Sequence, residues 1–136
     1  MTKKFIIGKE IQDKINPILK KAKKDKDVLA VALFGSYVQG KEYYRDIDVC
    51  IILKQKFSNL EMSKKHVTYA GIVSDKIDVS IFQQLPIYIR MRVLKEGKFL
   101  IIKDQPEMYK LAFQTIKEFN LYEKIYKMYL KAIENG

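Results

Sequence analysis

An α/β domain, with one small mixed sheet of about four strands flanked by helices, is the fold class that the sequence predicts. Three observations predict it. Apolar residues recur at helical spacing between Ile11 and Ala22 and again between Tyr109 and Ile133. Short runs rich in apolar residues, Val28–Phe34, Ile47–Leu53 and Ile77–Phe82, stand between them. No linker, repeat or low-complexity segment interrupts the 136 residues, a length that suits one compact domain spanning 1–136.

Taken in order, Ile11, Ile15, Ile18, Leu19 and Ala22 form one stripe of an amphipathic first helix, with Pro17 expected to bend it. The stripe needs a sheet to cover. Val28–Phe34 begins that sheet and stops at Gly35, and Ile47–Leu53 resumes it. Ser58 or Asn59 is a candidate cap for a second helix carrying Leu60, Val67 and Ala70 to about Ile72. Ile77–Phe82 alternates as a third strand, Pro86 opens another helix, and Gly97 ends it. Phe99–Ile102 reads as a fourth, edge strand. Asp104 resembles an N-cap, and Pro106 near the first helical position supports a long last helix through Tyr109, Ala112, Ile116, Phe119, Tyr122, Tyr126, Tyr129 and Ile133. The first half of that aromatic stripe is expected to pack on the sheet. Its outer tyrosines read either as packing or as a partner surface.

Composition narrows the function classes. Hydrophobic residues form 48% of the chain and charged residues 31%, a balance too apolar for disorder, while no apolar run approaches the roughly 20 residues that a bilayer needs. Met1–Ile7 lacks the apolar stretch of a secretory signal, so the expected address is cytoplasmic, without membrane contact. Cys50 is the only cysteine, which excludes an intrachain disulfide and paired-thiolate metal binding and leaves it as a small core residue. The net charge of +10 suits an anionic partner. Only Arg45, Arg90 and Arg92 among the 26 basic residues carry the guanidinium fork that base readers favour, and the cluster Lys20, Lys21, Lys23, Lys24 and Lys26 closes a helix. Nucleic-acid binding is therefore the less favoured reading.

Chemistry concentrates in VALFGSYVQGKEYYRDIDVCIIL, residues 31–53: a strand, a Gly35-Ser36 turn, a polar excursion and a second strand entered by Asp46 and Asp48. Two apart on a strand, these aspartates project from the same face. Carboxylates crowded at the entry of an apolar strand repel one another and resist burial, which implies a cation. Oxygen-only ligands suit Mg²⁺, whose remaining ligands come from water and substrate phosphates. Gly35 allows close backbone approach, and amides at the start of a short following helix, with the Ser36 hydroxyl, are placed to hydrogen-bond a triphosphate.

The segment resembles the signature of the polymerase-beta-type nucleotidyltransferases, in which a strand, GS, nine to thirteen residues and an aspartate-hydrophobic-aspartate triplet follow one another. Here nine residues separate GS from DID. KIDVSIF, residues 76–82, supplies the third carboxylate that the family carries, and strand register selects Asp78, between Ile77 and Val79, over Asp75 in the turn-like SDK. The resemblance spans about half of the chain. It implies the polymerase-beta-like fold, ATP as substrate and two Mg²⁺ ions held by Asp46, Asp48 and Asp78, with Asp78 also accepting the proton of the attacking hydroxyl.

The short chain is most similar to the minimal nucleotidyltransferases paired as antitoxins with HEPN-domain toxin RNases. That resemblance implies a HEPN toxin partner and AMP transfer to one of its tyrosines. Members reading GSYARG and then SDID differ from this chain, which has Gln39 for the arginine, Arg45 for the serine and a loop one residue shorter. Arg45 and Lys41 read first as solvated loop residues and second as replacements for the lost charge; Tyr43 and Tyr44 read as base-stacking, toxin-contacting, self-modified or ordinary loop residues; and His66, in a lysine-rich stretch, reads as a surface residue. Two alternatives remain: an antitoxin of the same fold acting by occlusion without catalysis, and a basic nucleic-acid-binding repressor, which the lack of a recognisable helix-turn-helix lowers.

Overall fold

The computed structural model describes residues 7–40 and 46–135. Its elements are α1 (Lys9–Lys24), β1 (Val28–Phe34), β2 (Ile47–Leu53), α2 (Asn59–Ala70), β3 (Ile77–Ile81), α3 (Ile87–Glu96), β4 (Lys98–Ile102) and α4 (Gln105–Asn135), with a 3₁₀ turn at Phe82–Gln84. The strands form one sheet in the order β3-β2-β1-β4. β1 pairs antiparallel with both β2 and β4, while β2 and β3 run parallel, so the sheet is mixed as predicted.

Residues of alternating parity divide the core in two. Val31, Leu33, Val49, Ile51, Val79 and Ile81 face α1 and α2, against Ile15, Ile18, Met62 and Tyr69. Ala30, Ala32, Cys50 and Ile52 face the other way and meet Val93 of α3 and Met108 of α4. Small residues on this second face let α3 and α4 approach closely, and Gly97 continues that logic, because a Cβ there would overlap the Val93 carbonyl. Cys50 is fully buried, and burial pushes its thiol up to about 12, so it is a core residue.

Several local expectations are met in detail. Ser58 is the cap of α2, accepting from Glu61 N–H at 3.2 Å while Glu61 reaches back to Ser58 N–H, a reciprocal capping box. Asp104 accepts from Glu107 N–H at 3.1 Å at the start of α4. α1 runs unbroken through Pro17. Three readings need correction. The buried face of α2 is Met62 and Tyr69, whereas Leu60 and Val67 are exposed, because this short helix meets the sheet along a narrow line that the periodicity leaves ambiguous. In α4 the core-facing residues are Met108, Leu111 and Thr115, and Tyr109 and Ile116 point outward. Phe82 leaves the sheet to start the 3₁₀ turn, which carries its ring onto the α3–α4 face.

Candidate active site

The site begins where β1 ends. Gly35 turns the chain at φ +83°, a conformation that costs glycine little, and a Cβ at this position would overlap Asp48 Oδ2. The glycine therefore serves twice: it makes the turn and lets a carboxylate lie against the backbone. The short helix expected after Gly35 is instead a compact turn, in which Gln39 N–H donates to the Gly35 carbonyl at 3.1 Å and Gly40 N–H to the Tyr37 carbonyl at 3.2 Å. Gly40, at φ +72°, allows no continuation as a helix. Ser36 lies half-buried in this turn. Tyr37 anchors it, since its hydroxyl accepts from Gly8 N–H at 3.2 Å at the start of α1.

The sheet register brings the aspartates to one edge. Asp48 on β2 is the direct partner of Asp78 on parallel β3, and Phe34, the last residue of β1, is its partner on the other side. Asp46, two residues earlier, immediately precedes β2. All three belong to the parity set of Cys50, Ile52 and Ser80, the face that α3 and α4 cover farther along; at this end the cover stops. Asp46 and Asp78 are exposed, whereas Asp48 is half-buried. Asp75 lies in the turn closed by Ile77 N–H to the Ser74 carbonyl (3.0 Å), before the strand, so it does not share their register. Lys41, Tyr43, Tyr44 and Arg45 lie outside the described residues.

Asp48 carries the electrostatic signature of the site. Burial raises its carboxyl pKa, and the neighbouring charges of Asp78 and Asp46 add to it, bringing the value from 3.8 to about 6. No hydrogen bond or ion pair joins any of the three to another side chain among the described residues. As placed, no group of three or more His, Cys, Asp or Glu side chains among the described residues closes into a metal cage. Mutual repulsion favours that spread, and Mg²⁺ does not require a cage, because one or two carboxylates with water and phosphate oxygens complete its shell. A desolvated carboxylate held among like charges, at an open edge with oxygen donors only, fits a divalent cation.

Two consequences can be measured. Below pH 6 Asp48 holds a proton that a cation must displace, so Mg²⁺ or Mn²⁺ affinity is expected to fall about tenfold per pH unit there, read by calorimetric titration. The folded-state pKa exceeds the unfolded one, so Asp48 favours folding below pH 3.8 and that contribution is lost as pH rises through 6. Asp48→Asn should stabilise the metal-free protein at pH 7 by about 1 kcal/mol, a figure discounted for solvent screening of a half-exposed group, with no difference at pH 3.5.

No residue spacing signals the site's other flank. Gln39, in the turn, donates from Nε2 to Glu96 Oε2 at 2.8 Å, and the same oxygen stands 3.7 Å from Arg92 Nε. α3 thus ties the turn down through Glu96, which Gln39 and Arg92 share. Gln39 and Glu96 lie 57 residues apart, so spacing alone could not reveal their contact. His66 is exposed, as its lysine-rich surroundings suggest, and its Nε2 donates to the Val79 carbonyl at 2.7 Å, which braces α2 on β3.

Comparison with known proteins follows this geometry. The family described as Polymerase beta, Nucleotidyltransferase matches residues 13–106, more than half of the chain, from within α1 to the start of α4. The chain belongs to that family. A Methanocaldococcus jannaschii protein named for protein adenylyltransferase activity is 33% identical over 82 residues, 60% of this chain and 61% of that protein. The match thus spans less than two thirds of the relative's length.

Among solved structures of similar fold, a chain from the complex of tri-AMPylated Shewanella oneidensis HEPN toxin with MNT antitoxin superposes with a TM-score of 0.64. It is 19% identical, with 90% of this chain and 97% of that one covered. A toxin–antitoxin structure with AMP-PNP gives a TM-score of 0.66 at 20% identity, covering 90% and 97% of the two chains. A nucleotidyltransferase from Sulfolobus solfataricus gives 0.52 at 15%, covering 71% and 84%. These likenesses establish the polymerase-beta-type fold, and family membership makes the substrate a nucleotide. Among the described residues no helix is long and apolar enough to cross a membrane.

Proposed function

We propose that this protein is an antitoxin-type adenylyltransferase that transfers AMP from ATP to a tyrosine hydroxyl of a cognate HEPN toxin and so neutralises it. The observation that carries the reading is the Asp48–Asp78 register pair beneath the Gly35 turn, in a nucleotidyltransferase with an adenylyltransferase relative. The toxin as acceptor rests on the partner of structurally similar antitoxins.

In the balanced step, the tyrosine oxygen bonds to the α-phosphorus of ATP, the bond from that phosphorus to the β-phosphate oxygen breaks, and pyrophosphate leaves with the electron pair. The phenolic proton passes to Asp78. Its exposed carboxylate stands at the edge of the sheet, where a protein acceptor can reach it. Gly35 and the turn amides receive the triphosphate, with the Ser36 hydroxyl as a further donor. Asp46, Asp48 and Asp78 would hold two Mg²⁺ ions, which when bound offset phosphate charge and polarise the α-phosphoryl group. Arg92, held 3.7 Å from Glu96, lies on α3 beside the turn.

Intact-mass measurement of the toxin after incubation with this protein, ATP and Mg²⁺ tests the proposal. An AMP-sized gain on a toxin tyrosine is expected; a stable, toxin-inhibiting complex with no mass gain would instead establish occlusion. Gly35→Ala is expected to lower transfer roughly 100-fold, because a Cβ there displaces Asp48 and strains the turn, and steady-state kinetics with the folded variant checks it.

A further inference from the structure

The last fifteen residues of α4, Leu121 to Asn135, are all exposed, so the helix runs past the body for about 22 Å at 1.5 Å per residue. Its sequence is not that of a solvated helix. At 100° per residue, Asn120, Glu123, Lys124, Lys127, Lys131 and Glu134 fall within an arc of about 120°, and the apolar side chains fill about 200°. Tyr122, Tyr126, Tyr129 and Ile133 prolong the face by which Met108, Leu111 and Thr115 pack on the sheet. Leu121, Ile125 and Met128 widen it, Met128 being 62% exposed. The rings are already ordered, with Tyr122 and Tyr126 stacked at 6.1 Å between centroids and 10° between planes.

With Leu130 these make eight such side chains, which at on the order of 100 Å² each expose roughly the 800 Å² that one partner contributes to a stable protein interface. At the base of this stripe lies a cleft of about 440 Å³, at the opposite end of β2 from Asp48. Arg90 on its wall is neutralised by a two-pronged pair with Glu118 (2.9 and 3.0 Å) and Lys54 stands 3.7 Å from Asp27, which leaves Lys56 and Lys110 as a cationic rim beside Glu107.

We infer that this stripe and cleft form the surface that docks the toxin, an inference that rests on the function proposed above. Width and charge choose the occupant. A second copy could lay one helix against α4, which covers a narrow seam and leaves much of a 200° arc in water. Two chains each carrying +10 also repel. The fitting partner offers an apolar groove that grips α4 from more than one side, with carboxylates meeting Lys56 and Lys110. Tyrosine-rich surfaces of this kind are enriched in protein interfaces. Docking on α4 leaves the aspartate edge free for the acceptor tyrosine of a mobile or neighbouring toxin segment.

The test uses the full chain with its toxin, in wild type, in Tyr122→Ser/Tyr126→Ser/Tyr129→Ser, and in the independent charge variant Lys56→Glu/Lys110→Glu. Calorimetry should show toxin binding weakened roughly 100-fold in the tyrosine variant and about tenfold, with a shallower salt dependence, in the charge variant. Circular dichroism checks that both stay folded, as surface residues permit. Wild-type affinity in both variants would overturn the inference and leave the proposed function standing. Conversion of a dimer to a monomer by light scattering, with toxin binding unchanged, would also overturn it and assign the stripe to a second copy. Toxin binding by the wild type without AMP transfer would fail the proposed catalysis alone, and absence of any toxin binding would fail both.

Discussion

Asp46→Asn combined with Asp48→Asn is expected to reduce AMP transfer by at least roughly 10³-fold and at the same time to make the metal-free protein harder to unfold. The two outcomes have one cause. Asp48 is half-buried against two like charges, and the strain that lifts its pKa to about 6 is what a bound cation would relieve. Amide side chains remove the strain and the cation affinity together. A structural role would behave in the opposite way, losing stability and activity in parallel, so measuring thermal midpoint and transfer rate on the same sample separates them. Asp78→Asn should match the double variant in activity, and Asp75→Asn should leave transfer within twofold of wild type, because Asp75 precedes β3 in a turn. Equal effects at the two positions would remove the register argument for Asp78.

The sheet and the carboxylate edge were legible because both are local. Strands announce themselves by short apolar runs, and period-two alternation places Asp46 and Asp48 on one face and Asp78 in step with Ile77 and Val79. What spacing cannot convey is which run lies beside which. The parallel pairing that sets Asp78 opposite Asp48, and the antiparallel pairing of β1 with β4, come from tertiary packing. The Gln39–Glu96–Arg92 contact is of the same kind. Helices were less exact than strands. In α2 the apolar residues chosen by period, Leu60 and Val67, are those that face water, while Tyr69, an ambiguous residue by hydropathy, is fully buried. A tyrosine can be buried only where its hydroxyl finds a partner, and that partner, 44 residues away, was invisible in the periodicity.

The partner is Asp25, and Asp25→Ala is expected to cost about 2–4 kcal/mol, lowering the thermal midpoint by about 8–15 °C in a domain of this size. Asp25 follows α1, and its carboxylate accepts from Lys65 Nζ at 2.9 and 2.8 Å, from the Tyr69 hydroxyl at 2.9 Å and from Asp27 N–H at 3.0 Å. Its own carbonyl accepts from Lys103 Nζ at 2.6 Å, just beyond β4. One residue thus joins α1, α2 and the β4 edge. Burial raises its pKa, but the hydrogen bonds from Lys65, Asp27 and Tyr69 outweigh burial and hold it below 3.8. A depressed carboxylate stabilises the fold above pH 3.8, and that stabilisation is lost as pH falls through the folded value, so the deficit of the variant should shrink in acid. Most of the cost at neutral pH comes from what the substitution strands: a fully buried Tyr69 hydroxyl with no acceptor and a half-buried Lys65 left with Asp27 at 3.1 Å. A double-mutant cycle isolates it. Tyr69→Phe removes the stranded hydroxyl, so Asp25→Ala should cost less in that background by about 1 kcal/mol or more, read by urea denaturation; strict additivity would show that the tyrosine is not what Asp25 holds in place.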